Sequence, residues 1–127
     1  MTVFRSGYLV AAVLSVGLLA GCGGGASKTP ESFENFTAEE IYKRGEYELE
    51  NSGKPKDAVK YFTEVERLYP YSDWAKRALI MQAYSYHRAR DYEEARASAQ
   101  RFIDTYPGDE DAAYAKYLLA LSYYDQI

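Results

Sequence analysis

The segment KPKDAVKYFTEVERLYP, Lys54 to Pro70, returns in outline as RDYEEARASAQRFIDTYP, Arg90 to Pro107. Ala58 and Ala95 each stand twelve residues before the proline of a Tyr-Pro pair, and the two pairs lie 37 residues apart. A second landmark keeps that interval: AYSYH, Ala83 to His87, reappears 37 residues on as ALSYY, Ala120 to Tyr124. Two independent landmarks at one spacing indicate a recurring structural unit, and a recurring unit buries its apolar face by stacking on its neighbours.

Each unit reads as a pair of helices. Thr37 with Glu40 has the spacing of a capping box, and Ile41, Tyr42, Gly45 and Leu49 follow at helical intervals until Gly53. Pro55 suits the first turn of a second helix, whose Ala58, Val59, Phe62, Val65 and Leu68 recur at three and four until Pro70. Ser72 is placed to cap a third helix running to about Ala89, and Asp91 with Glu94 to box a fourth that Pro107 ends. Asp109, Glu110 and Asp111 put negative charge at the start of a fifth, as the helix dipole favours.

This pattern resembles the tetratricopeptide repeat, with an alanine early in the second helix of each pair and a closing proline. The expected fold is therefore all-α: an α-solenoid of tetratricopeptide-like helix-turn-helix repeats, two full repeats plus one further helix. The boundaries fall at 37–70, 71–107 and a partial unit at 108–127. Thr37 to Pro70 has the usual 34 residues; the second unit is three longer, and the extra length is expected at the start of its first helix. Gly45, Ala58, Ala83, Ala95 and Ala120 are the small residues that let paired helices approach. The last helix, with Tyr117, Leu118, Leu121, Tyr123 and Tyr124, needs cover from more of a longer chain or from a partner.

The start of the chain is of another kind. Arg5 is the sole charge before Cys22, and Gly7 to Ala20 is an unbroken apolar or small run, the layout of a secretory signal rather than a spanning helix. Leu19, Ala20, Gly21 and Cys22 resemble the bacterial lipobox, in which a peptidase cuts before the cysteine. That resemblance implies a signal peptide at 1–21 and, at Cys22, a diacylglycerol on the sulfur and an N-acyl chain on the new amine. Several acyl chains, at about 0.8 kcal/mol per buried methylene, make a stable anchor. Gly23 stands where an aspartate would favour the inner membrane, so the expected location is the outer membrane, periplasmic face. Residues 22–36 are expected to form the acylated cysteine and a flexible linker.

Removing residues 1–21 leaves 14 basic and 19 acidic residues, a net charge of −5, which argues against nucleic-acid partners. Catalysis finds no support: His87 is the single histidine, no nucleophile elbow or glycine-rich phosphate loop occurs, and the acidic runs sit at helix starts. No cofactor or metal is expected, and no enzyme. Repeats of this type bind through the face made by their first helices. Aligning on Gly45, Ala83 and Ala120 puts Tyr42, Glu46 and Leu49, then Arg77, Ile80, Tyr84, His87 and Arg88, then Tyr114, Tyr117, Leu121 and Tyr124 on that face. Aromatics with two arginines suit a peptide with aromatic side chains and a free carboxylate, although tyrosines at this spacing serve equally in helix packing.

The combination of lipobox, short polar linker and the run from EVERLYP to YPGDEDAAYAKYLLALSYYDQI resembles the N-terminal half of the BamD (ComL) family, lipoproteins of the bacterial β-barrel assembly machinery. The resemblance covers nearly all of the chain after Cys22. It implies a non-enzymatic function in recognising, folding and inserting outer-membrane proteins. The implied partners are unfolded outer-membrane proteins, BamA and the other assembly subunits, and the membrane through the lipid anchor. The family's C-terminal repeats, which contact BamA, have no counterpart in this sequence. Two other readings fit the repeats: a periplasmic adaptor of the Tol system, or one for a cell-wall hydrolase or protease.

Overall fold

A computed structural model describes residues 32–127. Five α-helices follow one another, α1 (Ala38–Glu50), α2 (Pro55–Leu68), α3 (Asp73–Arg88), α4 (Tyr92–Thr105) and α5 (Ala112–Tyr124), and the described residues contain no strand. Each helix packs on the next, and short connections force the antiparallel hairpin arrangement. In addition α3 touches both α1 and α5, whereas α2 and α4 do not pack on each other. The first helices of successive pairs therefore lie side by side in one layer, with the second helices outside them. This is the tetratricopeptide-like stack expected from the 37-residue interval.

Local chemistry sets the boundaries. Thr37 Oγ1 accepts a hydrogen bond from the Glu40 amide at 3.3 Å, and the Thr37 amide donates to Glu40 Oε2 at 2.8 Å, completing the capping box of α1. Ser72 Oγ accepts from the Ala75 amide at 3.1 Å and starts α3. The two Tyr-Pro pairs end α2 and α4 in the same way: Tyr69 (φ −132, ψ 54) and Tyr106 (φ −128, ψ 56) return their amides to Val65 and Phe102, and the proline ring then forbids another turn. Counted back from their C-terminal ends, α1 and α3 correspond until α3 runs on for three further residues at its start. The extra length of the second unit sits where it was expected.

Several expectations are corrected. Asp91 makes no side-chain cap at α4. Its backbone (φ −90, ψ 71) follows Arg90 in the left-handed region (φ 61), and what this tight turn satisfies is the Asp91 amide, bonded to Tyr86 O at 2.9 Å. The acidic run does put charge at the start of α5, where Asp111 is the N-cap residue, but Asp111 makes no side-chain cap. Asp109 Oδ1 instead accepts from the Asp111 amide at 3.0 Å, and its other oxygen meets Lys76 Nζ of α3 at 2.6 Å. These contacts hold the Asp109 carboxyl below its ordinary range, the Lys76 hydrogen bond contributing most. The packed unit also begins before Thr37. Phe33 and Phe36 press on the first core cluster, Phe33 meets Tyr61 edge-on at 5.4 Å, and the Tyr69 hydroxyl donates to Phe36 O at 2.5 Å.

Two core clusters correspond to the two junctions. Ile41, Leu49, Ala58, Phe62, Val65 and Ala78 make the first; Leu79, Ala83, Ala99, Phe102, Ala115 and Leu118 make the second. Gly45 lies against Phe62 so closely that a Cβ there would stand 2.8 Å from the ring. Ala83 is fully buried against α4 residues, but Ala120, its counterpart in α5, is exposed because no helix among the described residues covers that face. Ser85 and Ser122, 37 residues apart, are both fully buried and carry the repeat on the opposite side of their helices.

Candidate functional site

The inner layer formed by α1, α3 and α5 distributes the expected surface residues unevenly. Tyr42 is only 8% exposed and belongs to the core, its ring 5.3 Å from Phe62 and 5.1 Å from Trp74. Burial pushes its phenol up to about 12, with neighbouring Glu46 adding to the shift and Arg77 opposing it. Leu49 and Ile80 are likewise core residues. Packing, not recognition, accounts for these three, because the α2 ring of Phe62 and the indole of Trp74 close over the position that Tyr42 would need to reach solvent.

Further along, the face is open. Arg77 is exposed, with its guanidinium carbon 5.1 Å from the centre of the Trp74 ring. One helical turn beyond Ile80, Tyr84 is half-buried and its hydroxyl accepts a hydrogen bond from Arg88 Nη1 at 2.9 Å. Across on α5, Tyr114 and Tyr117 stack with ring centres 6.1 Å apart and planes inclined by 26°. Both are exposed, by 41% and 57%. Burial raises the Tyr114 phenol above its ordinary value, with smaller contributions from Tyr84 and Tyr117. The Tyr84–Arg88 pair and the Tyr114–Tyr117 pair thus stand on adjacent, packed helices of the inner layer.

His87 and Tyr124 stand apart from that group. His87 Nε2 lies 2.8 Å from Asp125 Oδ2, its ring packs on Tyr92 of α4 at 5.5 Å, and its side chain is 16% exposed, so it links α3 to the end of α5. Tyr124 is 73% exposed at the end of α5. Trp74 is the residue that the alignment on small positions overlooked. Its place three residues before Arg77, on the same helix face, was the available signal. Among the described residues, no group of three or more His, Cys, Asp or Glu side chains could hold a metal ion, and no helix is long and apolar enough to cross a membrane. Cys22 and the apolar run before it lie outside the described residues.

A stack of helix hairpins with its first helices in one layer defines a helical-repeat protein of the tetratricopeptide-like class. The family model described as outer membrane lipoprotein, YfiO, matches residues 34–127, and the chain belongs to that family. It is similar to the outer membrane protein assembly factor BamD of Caulobacter vibrioides, with 42% identity over 123 residues, 97% of this chain and 40% of that protein. BamD of Rickettsia prowazekii is 36% identical over 116 residues, 91% of this chain and 45% of that relative. BamD of Xylella fastidiosa is 29% identical over 122 residues, 95% and 41% of the two chains. The chain thus spans about two fifths of the length of these curated relatives.

Proposed function

We propose that this chain serves outer-membrane protein assembly as a non-enzymatic receptor, its inner helix face taking a peptide segment of an unfolded outer-membrane protein. The observation that carries this reading is that two adjacent helices of the inner layer each present a pair, Tyr84 hydrogen-bonded to Arg88 on α3 and the stacked Tyr114 and Tyr117 on α5. Aromatic rings supply large contact area at little entropic cost, and an arginine already oriented by a tyrosine hydroxyl is a ready partner for a carboxylate. The family and the names of its relatives supply the biological setting. In the same proposal Cys22 carries the acyl chains that hold the protein on the periplasmic face of the outer membrane, and BamA with the other assembly subunits are its standing partners.

A fluorescence titration with a peptide ending in a free C-terminal aromatic residue tests the site. The double variant Tyr84→Ala, Tyr117→Ala is expected to bind about tenfold or more weakly than the natural chain, and amidation of the peptide to remove the advantage that Arg88 confers. Unchanged affinity in the double variant means that the inner face is not the receptor. A photo-crosslink from Tyr84 in the lipidated protein in cells tests the setting: capture of unfolded outer-membrane proteins or BamA supports it, and capture of Tol components or a cell-wall hydrolase overturns it.

A further inference from the structure

A second concavity lies away from that face. Lys43, Arg44, Tyr47 and Glu48 of α1 and Tyr61 of α2 line a groove of about 350 Å³, and none of them belongs to the residues of the inner face. Its chemistry is mixed in a particular way: two cations, one carboxylate and two phenol rings around one small space. Lys43 holds Glu39 at 2.6 Å, but its side chain is 64% exposed, and an exposed pair of this kind yields to a better anion at little cost. The Arg44 guanidinium is held 4.0 Å over the Phe36 ring, which orders it at low entropic expense. Tyr47 is 60% exposed.

The position of the groove along the chain matters as much as its lining. Phe33 rests edge-on against Tyr61, so the polypeptide enters the folded unit beside the groove. Cys22 is eleven residues before Phe33, a reach of at most roughly 40 Å for extended backbone. If Cys22 is the anchor proposed above, on which this argument rests, this end of the molecule lies within a tether's length of the bilayer.

We propose that the groove seats the phosphoethanolamine headgroup of a membrane phospholipid. The phosphate diester meets Lys43 and Arg44; the ammonium meets the Glu48 carboxylate and the π-faces of Tyr47 and Tyr61. A zwitterion satisfies both signs of charge in the groove. A purely anionic headgroup would leave Glu48 opposed to it and would approach a chain whose net charge after residue 21 is −5.

The test places a photo-reactive side chain at Tyr47 in the full, lipidated chain, reconstituted in nanodiscs of mixed phosphatidylethanolamine and phosphatidylglycerol, and weighs the adducts. Phosphatidylethanolamine is expected among them well above its share of the lipid. The double variant Lys43→Gln, Arg44→Gln is expected to lower that yield about fivefold while its helical content and thermal midpoint stay put. Adducts in proportion to lipid composition, enrichment of phosphatidylglycerol, or crosslinks to protein alone overturn the assignment. Failure of the anchor is separated from failure of the groove by titrating the full chain carrying Cys22→Ser with soluble glycerophosphoethanolamine. Amide resonances of residues 43–48 and 61 should then shift, and should shift less with glycerophosphoglycerol. Equal shifts, or none, overturn the headgroup assignment with no membrane involved.

Discussion

Arg101 of α4 reaches Glu66 of α2 with a two-pronged contact, Nη1 to Oε1 and Nη2 to Oε2, both at 3.1 Å, although those two helices do not pack on each other. The space between them is bridged by Gln82 of α3, 4% exposed, which donates to Glu66 and accepts from Arg101 at 3.3 Å. The outer helices of the two repeats are therefore joined through side chains alone. Replacing Arg101 with alanine removes the fork and leaves Gln82 with one partner fewer. With side chains 52% and 21% exposed the pair is partly screened, so the expected cost is about 0.5–1.5 kcal/mol in chemical denaturation, smaller at high salt. Lysine at 101 should restore only part of it, since a single ammonium cannot span both oxygens.

Gly45→Ala is a second test, in which two effects oppose. Alanine in a helix interior is favoured over glycine by about 1 kcal/mol. Against that, the new Cβ would stand 2.8 Å and 2.9 Å from Cε1 and Cζ of Phe62, a ring with no exposed surface and no room to retreat. Overpacking of this kind costs typically about 1–3 kcal/mol, so the variant is expected to melt lower by several degrees. A melting temperature equal to that of the natural chain would mean that the crowding against Phe62 costs no more than the roughly 1 kcal/mol that alanine gains in the helix.

The turns inside the two helix pairs, α1–α2 and α3–α4, offer a matched pair. Gly53 (φ 62) and Arg90 (φ 61), 37 residues apart, hold the same left-handed conformation, but only the first is glycine. Arg90→Gly should stabilise the protein by up to about 1 kcal/mol, and Gly53→Ala should destabilise it by a similar amount. Nothing lies within 4 Å of the Cβ that alanine would add at 53, so the backbone alone accounts for the loss. Thermal melts of the two variants and of the pair combined check both signs.

Alkaline titration reports on Tyr42. Its phenol, raised from 10.0 to about 12 chiefly by burial, keeps its proton in the folded chain after the unfolded chain has released it. Between those values stability should fall as pH rises, by at most about 1.4 kcal/mol per pH unit from this residue. Tyr42→Phe should flatten that slope while leaving the smaller effects of Tyr86 and Tyr114, whose phenols are raised in the same direction. Denaturation midpoints measured across this range, together with tyrosinate absorbance, provide the check.

The helices were legible because their ends are written in local chemistry. Thr37, Pro55, Ser72, Pro70 and Pro107 act within a turn of themselves, so short-range rules reach them. Asp91 was misread as a cap and the pairing of Asp109 with Lys76 lay beyond the sequence, because the same side chain can cap a helix, shape a turn or pair with a distant lysine, and only the fold brings Lys76 to Asp109. The inner face was half legible for a similar reason. Tyr42 and Tyr84 are the same residue type on equivalent helices, and helical spacing assigns both to one face. What separates them is register: with Gly45 and Ala83 aligned, Tyr42 matches the buried Ile80 and packs on Trp74 of the next repeat, whereas Tyr84 matches the half-buried Glu46.

The second repeat is sandwiched and the last helix is not: α3 packs on α2 and α4, while α5 rests on α4 and the inner edge of α3 and turns Tyr117, Tyr123 and Tyr124 to the outside. In a stack with only nearest-neighbour contacts, the free energy of local opening follows the number of neighbours. Among the described helices α3 packs on four others while α1 and α5 pack on two each, so α3 amides should exchange with solvent last and those of α1 and α5 earlier, the stack loosening from its flanks rather than melting as a block.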